Sequence, residues 1–93
     1  MSATKALKRD VTVTNKQGIH ARPAAMFVKV ANQFNCDVLV EKDGDVINGK
    51  SIMGLLMLAA GPGTRITVVA QGEGAAEALD ALEAVVKRKF DEE

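Results

Sequence analysis

Segments with two different hydrophobic periods alternate along the 93 residues, and this alternation restricts the fold more than any other property of the chain. Residues 10–15 alternate apolar and polar side chains, which is typical of a strand buried on one face. Residues 24–34 instead carry apolar side chains at the three- and four-residue spacing of a helix. We therefore expect a two-layer α+β domain, because helices that separate strands in so short a chain pack on one face of a sheet.

The whole chain follows the order strand, helix, strand, strand, helix, strand, helix. We predict strands over residues 10–15, 37–41, 46–48 and 64–70. We predict helices from just after His20 to Asn35, from Ile52 to Ala60, and from Ala75 to Phe90. Asp43-Gly44 is typical of a two-residue hairpin turn with positive φ.

The composition excludes several classes of function. Twelve basic and 12 acidic residues give a formal net charge of zero, and the aromatic side chains are three Phe. A nucleic-acid binder needs a basic excess and aromatic rings on which bases stack, so we expect no direct nucleic-acid partner. One Cys and one His supply neither a disulfide nor the four ligands of a structural zinc site, so we expect no metal and no cofactor.

The chain also has no segment that predicts a membrane location. Its first residues carry no apolar run of the kind found in a secretory signal. The longest apolar run, from Ile52 to Gly61, is half as long as the ~20 residues of a membrane-spanning helix. We expect a cytoplasmic protein with no membrane partner.

Residues 44–51 match the G-x-x-x-x-G-K-S pattern of a nucleotide-binding loop at every fixed position. The surroundings argue against a nucleotide site, because Gly44 lies in a predicted hairpin turn and Val46-Ile47 are strand-type residues. A small nucleotide-binding enzyme is nevertheless kept as a hypothesis, and it requires measurable ATP binding.

The most informative segment surrounds the one histidine of the chain. His20 stands at the predicted start of the first helix, where free backbone N–H groups and the helix dipole favour an anion. Arg22 adds a planar, permanently charged group that suits phosphate oxygens, and Pro23 is tolerated in a first turn. The residues alone are compatible with two interpretations: reversible phosphorylation of the imidazole, or a histidine that caps the helix beside a solvated arginine.

Two segments resemble a known family. Residues 18–24, Gly-Ile-His-Ala-Arg-Pro-Ala, closely resemble the active-site segment of HPr, the histidine-containing phosphocarrier of the bacterial phosphoenolpyruvate-dependent sugar phosphotransferase system. Residues 50–54, Lys-Ser-Ile-Met-Gly, resemble its regulatory serine segment at the expected separation. The resemblance covers nearly the whole chain. It implies an open-faced β-sandwich, a four-stranded antiparallel sheet with three helices on one face (βαββαβα), as a single domain over residues 1–93. Residues 1–8 are then an N-terminal extension to which we assign no role.

The resemblance also implies a mechanism. Nδ1 of His20 accepts a phosphoryl group from phosphorylated Enzyme I and passes it to the IIA domains of sugar permeases. Arg22 and the backbone at Ala21 and Arg22 hold the phosphate. The protein is then a covalent carrier and not an enzyme, and we expect a monomer. Gln17 departs from the shorter Ser or Asn of many family members, which leaves open how the surroundings of His20 are hydrogen-bonded.

Ser51 and the residues after it have two interpretations each. Ser51 is a favourable N-cap and, by resemblance, the target of HPr kinase/phosphorylase; the two roles are compatible. Ile52, Met53 and Leu56 are either core residues or an exposed docking ridge that, by resemblance, flanks His20 and meets Enzyme I.

An alternative of a different class is a mainly regulatory HPr paralogue. Such a chain serves a nitrogen-related relay or catabolite-repression signalling, in which binding to a catabolite-control transcription factor matters more than sugar flux. The presence of His20 favours a working relay.

Overall fold

Four antiparallel strands form one layer of the protein in a computed structural model that describes residues 5–92. The strands are β1 (Leu7–Thr12), β2 (Asp37–Lys42), β3 (Asp45–Asn48) and β4 (Arg65–Gln71). They lie in the order β1-β4-β2-β3, and each neighbouring pair is antiparallel. The expected four-stranded antiparallel sheet is confirmed.

The second layer consists of α1 (Ala21–Ala31), α2 (Ile52–Leu58) and α3 (Ala75–Lys87), which cover one face of the sheet. In β2 the side chains of Val38 and Val40 are buried under the helices, whereas Leu39 between them is exposed on the open face. The helices bury their apolar sides, as Phe27 of α1 and Leu82 of α3 illustrate with no exposed surface. The βαββαβα order and the open-faced sandwich are therefore confirmed.

The hairpin between β2 and β3 decides against the nucleotide-loop interpretation. Asp43 and Gly44 both have positive φ, at 52° and 87°, and they form the turn. Residues 45–48 then pair with β2 as a regular strand. The segment between the two glycines of the sequence pattern is therefore extended and does not fold around a phosphate.

The first strand begins three residues earlier than predicted. The predicted range was 10–15, whereas β1 runs from Leu7, which pairs with Ala70 of β4. Pairing with β4 sets this start, because residues 7–9 have no clear alternation of their own. Residues 7 and 8 of the expected N-terminal extension therefore belong to the sheet. Residues 1–4 of that extension lie outside the described residues.

All three helices end earlier than predicted. After α1 the backbone hydrogen bonds span three residues and no longer four: Gln33 N–H donates to Val30 O, and Phe34 N–H donates to Ala31 O. The α-helix therefore does not reach Asn35. In α2 the left-handed conformation of Ala59, with φ of 55°, ends the helix before Ala60. α3 ends at Lys87 and does not include Phe90, although Phe90 is buried as a core residue.

The segment after α3 is a left-handed turn, here called the C-terminal turn (Lys89–Asp91). All three of its residues have φ between 55° and 57°. It reverses the chain so that Glu92 lies at the start of α1. Among the helices of residues 5–92, none is long and apolar enough to cross a bilayer.

Candidate functional site

His20 stands at the N-cap of α1, as the sequence predicts. Its backbone is extended, with φ of −100° and ψ of −164°, and its side chain makes no capping hydrogen bond to the helix. Its carbonyl oxygen accepts a hydrogen bond from Ala24 N–H at 3.0 Å, which begins the helical pattern. Some 37% of the side chain is exposed. The imidazole is therefore held at the surface and is not used to stabilise its own helix.

The loop before His20 requires a glycine. Gly18 has φ of +67°, and a Cβ atom at this position would lie 2.5 Å from the carbonyl oxygen of Ala60. The next residue, Ile19, is buried, and its N–H donates to the same carbonyl at 2.9 Å. The end of α2 thus anchors the chain immediately before the histidine, and a side chain at residue 18 has no room.

The first turn of α1 offers groups that suit an anion. Within residues 5–92, the N–H groups of Ala21 and Arg22 have no hydrogen-bond partner, and the guanidinium of Arg22 makes no ion pair. Residue 23 is a proline and has no N–H to satisfy. His20 and Arg22 line an open cleft of about 860 Å³. The same cleft is lined by a further cation, Lys16, which sequence analysis did not predict. The only sequence feature that could have indicated it is its position in the loop that leads to His20.

A carboxylate that sequence analysis missed contacts the imidazole. Glu92 Oε2 lies 2.9 Å from His20 Nε2, and its other oxygen, Oε1, accepts from Asn15 Nδ2 at 3.0 Å. Asn15 is fully buried and also donates to Gly18 O at 2.7 Å. Glu92 is 72 residues from His20 in the chain, and no local pattern indicates the pairing. In residues 5–92 there is no cluster of three or more metal-ligating side chains at this or any other place.

Ser51 is the N-cap of α2, as predicted. Its Oγ accepts a hydrogen bond from Gly54 N–H at 2.9 Å, and its carbonyl oxygen accepts from Leu55 N–H at 3.1 Å. The neighbouring Lys50 points away from this helix, since its Nζ donates to Phe34 O at the end of α1 at 2.7 Å. The serine is half-buried, and its hydroxyl oxygen stabilises the first turn.

The apolar side chains of α2 divide between the core and the surface. Leu55 and Leu58 are buried, with 0% and 4% of their surface exposed. The three side chains expected as a docking ridge are exposed, at 42% for Ile52, 67% for Met53 and 36% for Leu56. Sequence analysis missed Met57, which is 76% exposed and enlarges the same surface. Exposed apolar side chains grouped on one short helix are typical of a protein-docking surface.

The open-faced sandwich, with an exposed imidazole beside free amides and an arginine, is the arrangement expected of a small phosphocarrier. The chain belongs to the HPr family: the family model described as "PTS HPr component phosphorylation site" matches residues 7–88. The matched range begins at the first residue of β1 and ends just after α3.

The individual relatives include proteins named HPr and HPr-like proteins named Crh. The HPr-like protein Crh of Bacillus subtilis (strain 168) is 51% identical over 83 residues, which cover 89% of this chain and 98% of that protein. The phosphocarrier protein HPr of Pseudomonas putida is 47% identical over 85 residues, 90% of this chain and 94% of that protein. A crystal structure of HPr-C-His from Thermoanaerobacter tengcongensis matches with a TM-score of 0.90 at 40% identity, and the match covers 94% and 98% of the two chains.

The relatives do not confirm the expected monomer. A crystal structure of Bacillus subtilis Crh, which matches with a TM-score of 0.73 over 89% of this chain and 95% of that one, is described as a swapped dimer. The monomeric state of the present chain therefore stays a prediction.

Proposed function

We propose that this chain is a cytoplasmic phosphocarrier in which His20 accepts a phosphoryl group from phosphorylated Enzyme I and passes it to IIA domains of sugar permeases. It is a covalent carrier that is phosphorylated and dephosphorylated in turn, and it acts as a monomer with no metal or cofactor of its own. Family membership and the names of its phosphocarrier relatives support the general role. The particular partners are part of the proposal.

The observation that carries this proposal is the placement of the imidazole. In residues 5–92, Nδ1 of His20 makes no hydrogen bond, and the ring stands beside the free N–H groups of Ala21 and Arg22. Phosphoryl transfer demands little covalent chemistry from a protein beyond positioning and charge stabilisation. Free amides at a helix start and a guanidinium provide that stabilisation for the incoming group.

The relay itself is tested with radiolabelled phosphoenolpyruvate and Enzyme I. We expect acid-labile label on the wild-type chain, as for a phosphohistidine, and none on His20→Ala. Label that persists on His20→Ala, or a wild-type chain that stays unlabelled while a known HPr is labelled in the same mixture, contradicts the proposal.

Arg22 is tested separately from the nucleophile. We expect Arg22→Ala to slow phosphoryl transfer by about tenfold or more with little change in melting temperature, because it removes a charge that stabilises the transferring group. The matched control is Arg65→Ala, which removes an exposed arginine of β4 whose nearest carboxylate, on Asp10, is 3.6 Å away. Equal transfer rates for the two variants would remove Arg22 from the mechanism.

Ser51 is proposed as the site of regulatory phosphorylation by HPr kinase/phosphorylase. A phosphate at a helix N-terminus is compatible with the dipole, so its effect falls on docking and not on folding. We expect ATP and the kinase to place acid-stable label on the wild type and none on Ser51→Ala. Ser51→Asp should lower labelling of His20 while the melting temperature stays nearly constant, and a large loss of stability would contradict this account.

The ridge of Ile52, Met53 and Leu56, enlarged by Met57, is proposed as the surface that meets Enzyme I. A charge at its centre should weaken docking, so we expect Met53→Glu to raise the concentration of carrier needed for half-maximal transfer. Val46→Glu is the control, since Val46 is an exposed apolar side chain on β3, outside the ridge. Similar effects of both variants would show that the ridge has no special role.

A second candidate function is supported by the relatives named Crh. Two relatives, 51% and 45% identical to this chain, are HPr-like proteins of that name, and one solved relative is described as a catabolite repression HPr. In this alternative the chain is mainly regulatory, in a nitrogen-related relay or in catabolite-repression signalling through a transcription factor. Label on Ser51 without label on His20 in the assays above favours this alternative over the sugar relay.

A further inference from the structure

The carboxylate of Glu92 faces one of the two ring nitrogens of His20. Oε2 of Glu92 is 2.9 Å from Nε2, and 21% of the Glu92 side chain is exposed. An ionised carboxylate only accepts hydrogen bonds, so the nitrogen that faces it must be the donor. In the neutral ring the lone pair is then on Nδ1, the nitrogen that makes no hydrogen bond within residues 5–92.

The side-chain amide of Asn15 contacts the second oxygen of this carboxylate. Its Nδ2 lies 2.7 Å from Gly18 O and 3.0 Å from Glu92 Oε1, and both partners are acceptors. The carboxylate therefore receives one hydrogen bond on each oxygen, one from a fully buried amide and one from the imidazole. A buried donor that loses its acceptor is costly, so Asn15 helps to hold Glu92 in place through the oxygen that does not contact the ring.

We propose that Glu92 is a positioning residue that keeps His20 in the Nε2–H form, so that the lone pair of Nδ1 is available to an incoming phosphoryl group. This inference rests on the proposed phosphocarrier function. It assigns a role to the C-terminal segment, which lies outside the range matched by the family model.

The proton held by Glu92 matters in both halves of the transfer. When Nδ1 attacks phosphorus, an Nδ1–P bond forms, the donor's bond to phosphorus breaks, and that electron pair leaves with the donor. The ring of His20 becomes a cation that still carries Nε2–H, and the carboxylate beside it stabilises this charge. In the onward transfer the Nδ1–P electrons return to the ring, which leaves as a neutral imidazole. If Nε2 lost its proton, the leaving group would be an imidazolate, which is far less stable.

The backbone that delivers Glu92 is strained and is held by packing. Lys89, Phe90 and Asp91 all have positive φ, which costs residues with a Cβ roughly 1–2 kcal/mol each. The ring of Phe90 is 2% exposed and anchors the C-terminal turn to the core. Glu92 N–H donates to Lys89 O at 2.9 Å, which closes the turn. Strain that the surrounding structure maintains is found preferentially at functional sites.

The experiment that tests this inference measures the tautomer directly, by ¹⁵N NMR of the His20 ring in the full chain, at a pH above which the ring signals no longer change. We expect Nε2–H to predominate in the wild type. Glu92→Gln offers one oxygen for two donors, and its NH₂ can donate to Nε2, so the Nδ1–H form should increase. The control is Glu73→Gln, the same substitution on an exposed loop next to Gly74, which lies near Phe34 beyond the other end of α1.

The kinetic arm uses phosphoramidate, a small phosphoryl donor, so that no partner protein is required. We expect Glu92→Gln to take up phosphate on His20 about tenfold more slowly than the wild type, and Glu73→Gln to match the wild type. A wild type that is mainly Nδ1–H, or a Glu92→Gln variant with wild-type tautomer ratio and rate, overturns the inference. A wild type that holds Nε2–H but is never phosphorylated by phosphoramidate or Enzyme I overturns the proposed function while the assignment of the tautomer stands.

Discussion

The two helix starts that carry His20 and Ser51 are built in different ways. Both residues have extended backbones at the N-cap position. The hydroxyl of Ser51 accepts from Gly54 N–H in its own helix, whereas the imidazole of His20 makes no bond to α1 and contacts Glu92 instead. The serine oxygen stabilises its own helix, and the imidazole leaves the amides of its helix free. A helix start can therefore be a self-contained cap or an open anion site, depending on where the side chain is held.

The two helix starts also differ in the sequence separation between each N-cap residue and the residue that its side chain contacts. Ser51 and its partner Gly54 are three residues apart, and His20 and Glu92 are 72 residues apart. The first contact forms whenever α2 forms. The second requires that α1, the core around Phe90 and the C-terminal turn all be in place. Variants that perturb distant packing should therefore affect the histidine and spare the serine.

The largest expected effect is that of Phe90→Ala. Removal of this buried ring should lower the free energy of unfolding by about 3 kcal/mol, because it leaves a cavity and releases the C-terminal turn. The Nε2–H signal of His20 should weaken, while the amide of Gly54 should keep the chemical shift of a capped helix. Denaturant unfolding and NMR of the same samples measure both.

Phe34→Ala is the matched control for that variant, since Phe34 is a half-buried ring just beyond the opposite end of α1. It should lower stability without altering the His20 signal. If Phe90→Ala leaves the tautomer of His20 unchanged, the histidine site does not depend on the C-terminal turn, and the contrast between the two helix starts is wrong.

The next effect in size is that of Gly18→Ala. The added Cβ would meet Ala60 O at 2.5 Å in a backbone with φ of +67°, so we expect a loss of about 2 kcal/mol or more. Gly63→Ala separates the two causes, because Gly63 also has positive φ, at 83°, but has no atom within 4 Å of the added Cβ. It should cost about 1 kcal/mol. Equal losses for both variants would mean that the packing of the loop against α2 contributes nothing.

The sheet and the helices could be predicted because their signals are local. The Val-Leu-Val run of β2, the Asp43-Gly44 turn and the cap at Ser51 each depend on residues within a few positions of one another. The ends of the elements could not, because pairing decides them: Leu7 joins the sheet through Ala70 of β4, and no pattern near Leu7 indicates this. Helix periodicity correctly predicted that Phe90 is buried and wrongly placed it in the helix, since a buried side chain is compatible with either backbone.

The candidate site shows the same division. Each of the two helix starts lies in one continuous segment of the sequence. Local patterns therefore predict that His20 and Ser51 are N-caps and that Arg22 lies in the first turn of α1. Glu92 is an ordinary acidic residue near the end of the chain, and only the reversal at the C-terminal turn brings it to the imidazole. The question left open by Gln17, how the imidazole is hydrogen-bonded, is answered by a residue from the other end of the sequence.

A smaller effect compares the two caps directly. Ser51→Ala removes the acceptor of Gly54 N–H and should lower the free energy of unfolding by about 1 kcal/mol. His20→Ala removes no capping bond, and the contact to Glu92 that it does remove lies partly exposed, so its cost should stay within about 0.5 kcal/mol. Ser51→Asp retains an acceptor and should resemble the wild type. A His20→Ala variant as destabilised as Ser51→Ala would show that the contact between His20 and Glu92 stabilises the fold as much as a cap does.

The smallest expected effect concerns the acid sensitivity of the scaffold around Glu83. Hydrogen bonds from Arg9 and then Lys87 lower the pKa of Glu83 below its ordinary value of 4.5. A carboxylate with a lowered pKa binds fewer protons in the folded state than in the unfolded state, so it contributes stability that is present above about pH 4.5 and is lost as the pH falls through the folded-state value.

Glu83→Gln should therefore show a shallower loss of melting temperature between about pH 5 and pH 3 than the wild type, with Glu73→Gln as control. The difference should shrink in high salt, because the pair lies near the surface. Parallel profiles for the two variants would mean that the Arg9–Glu83 pair contributes nothing to acid stability.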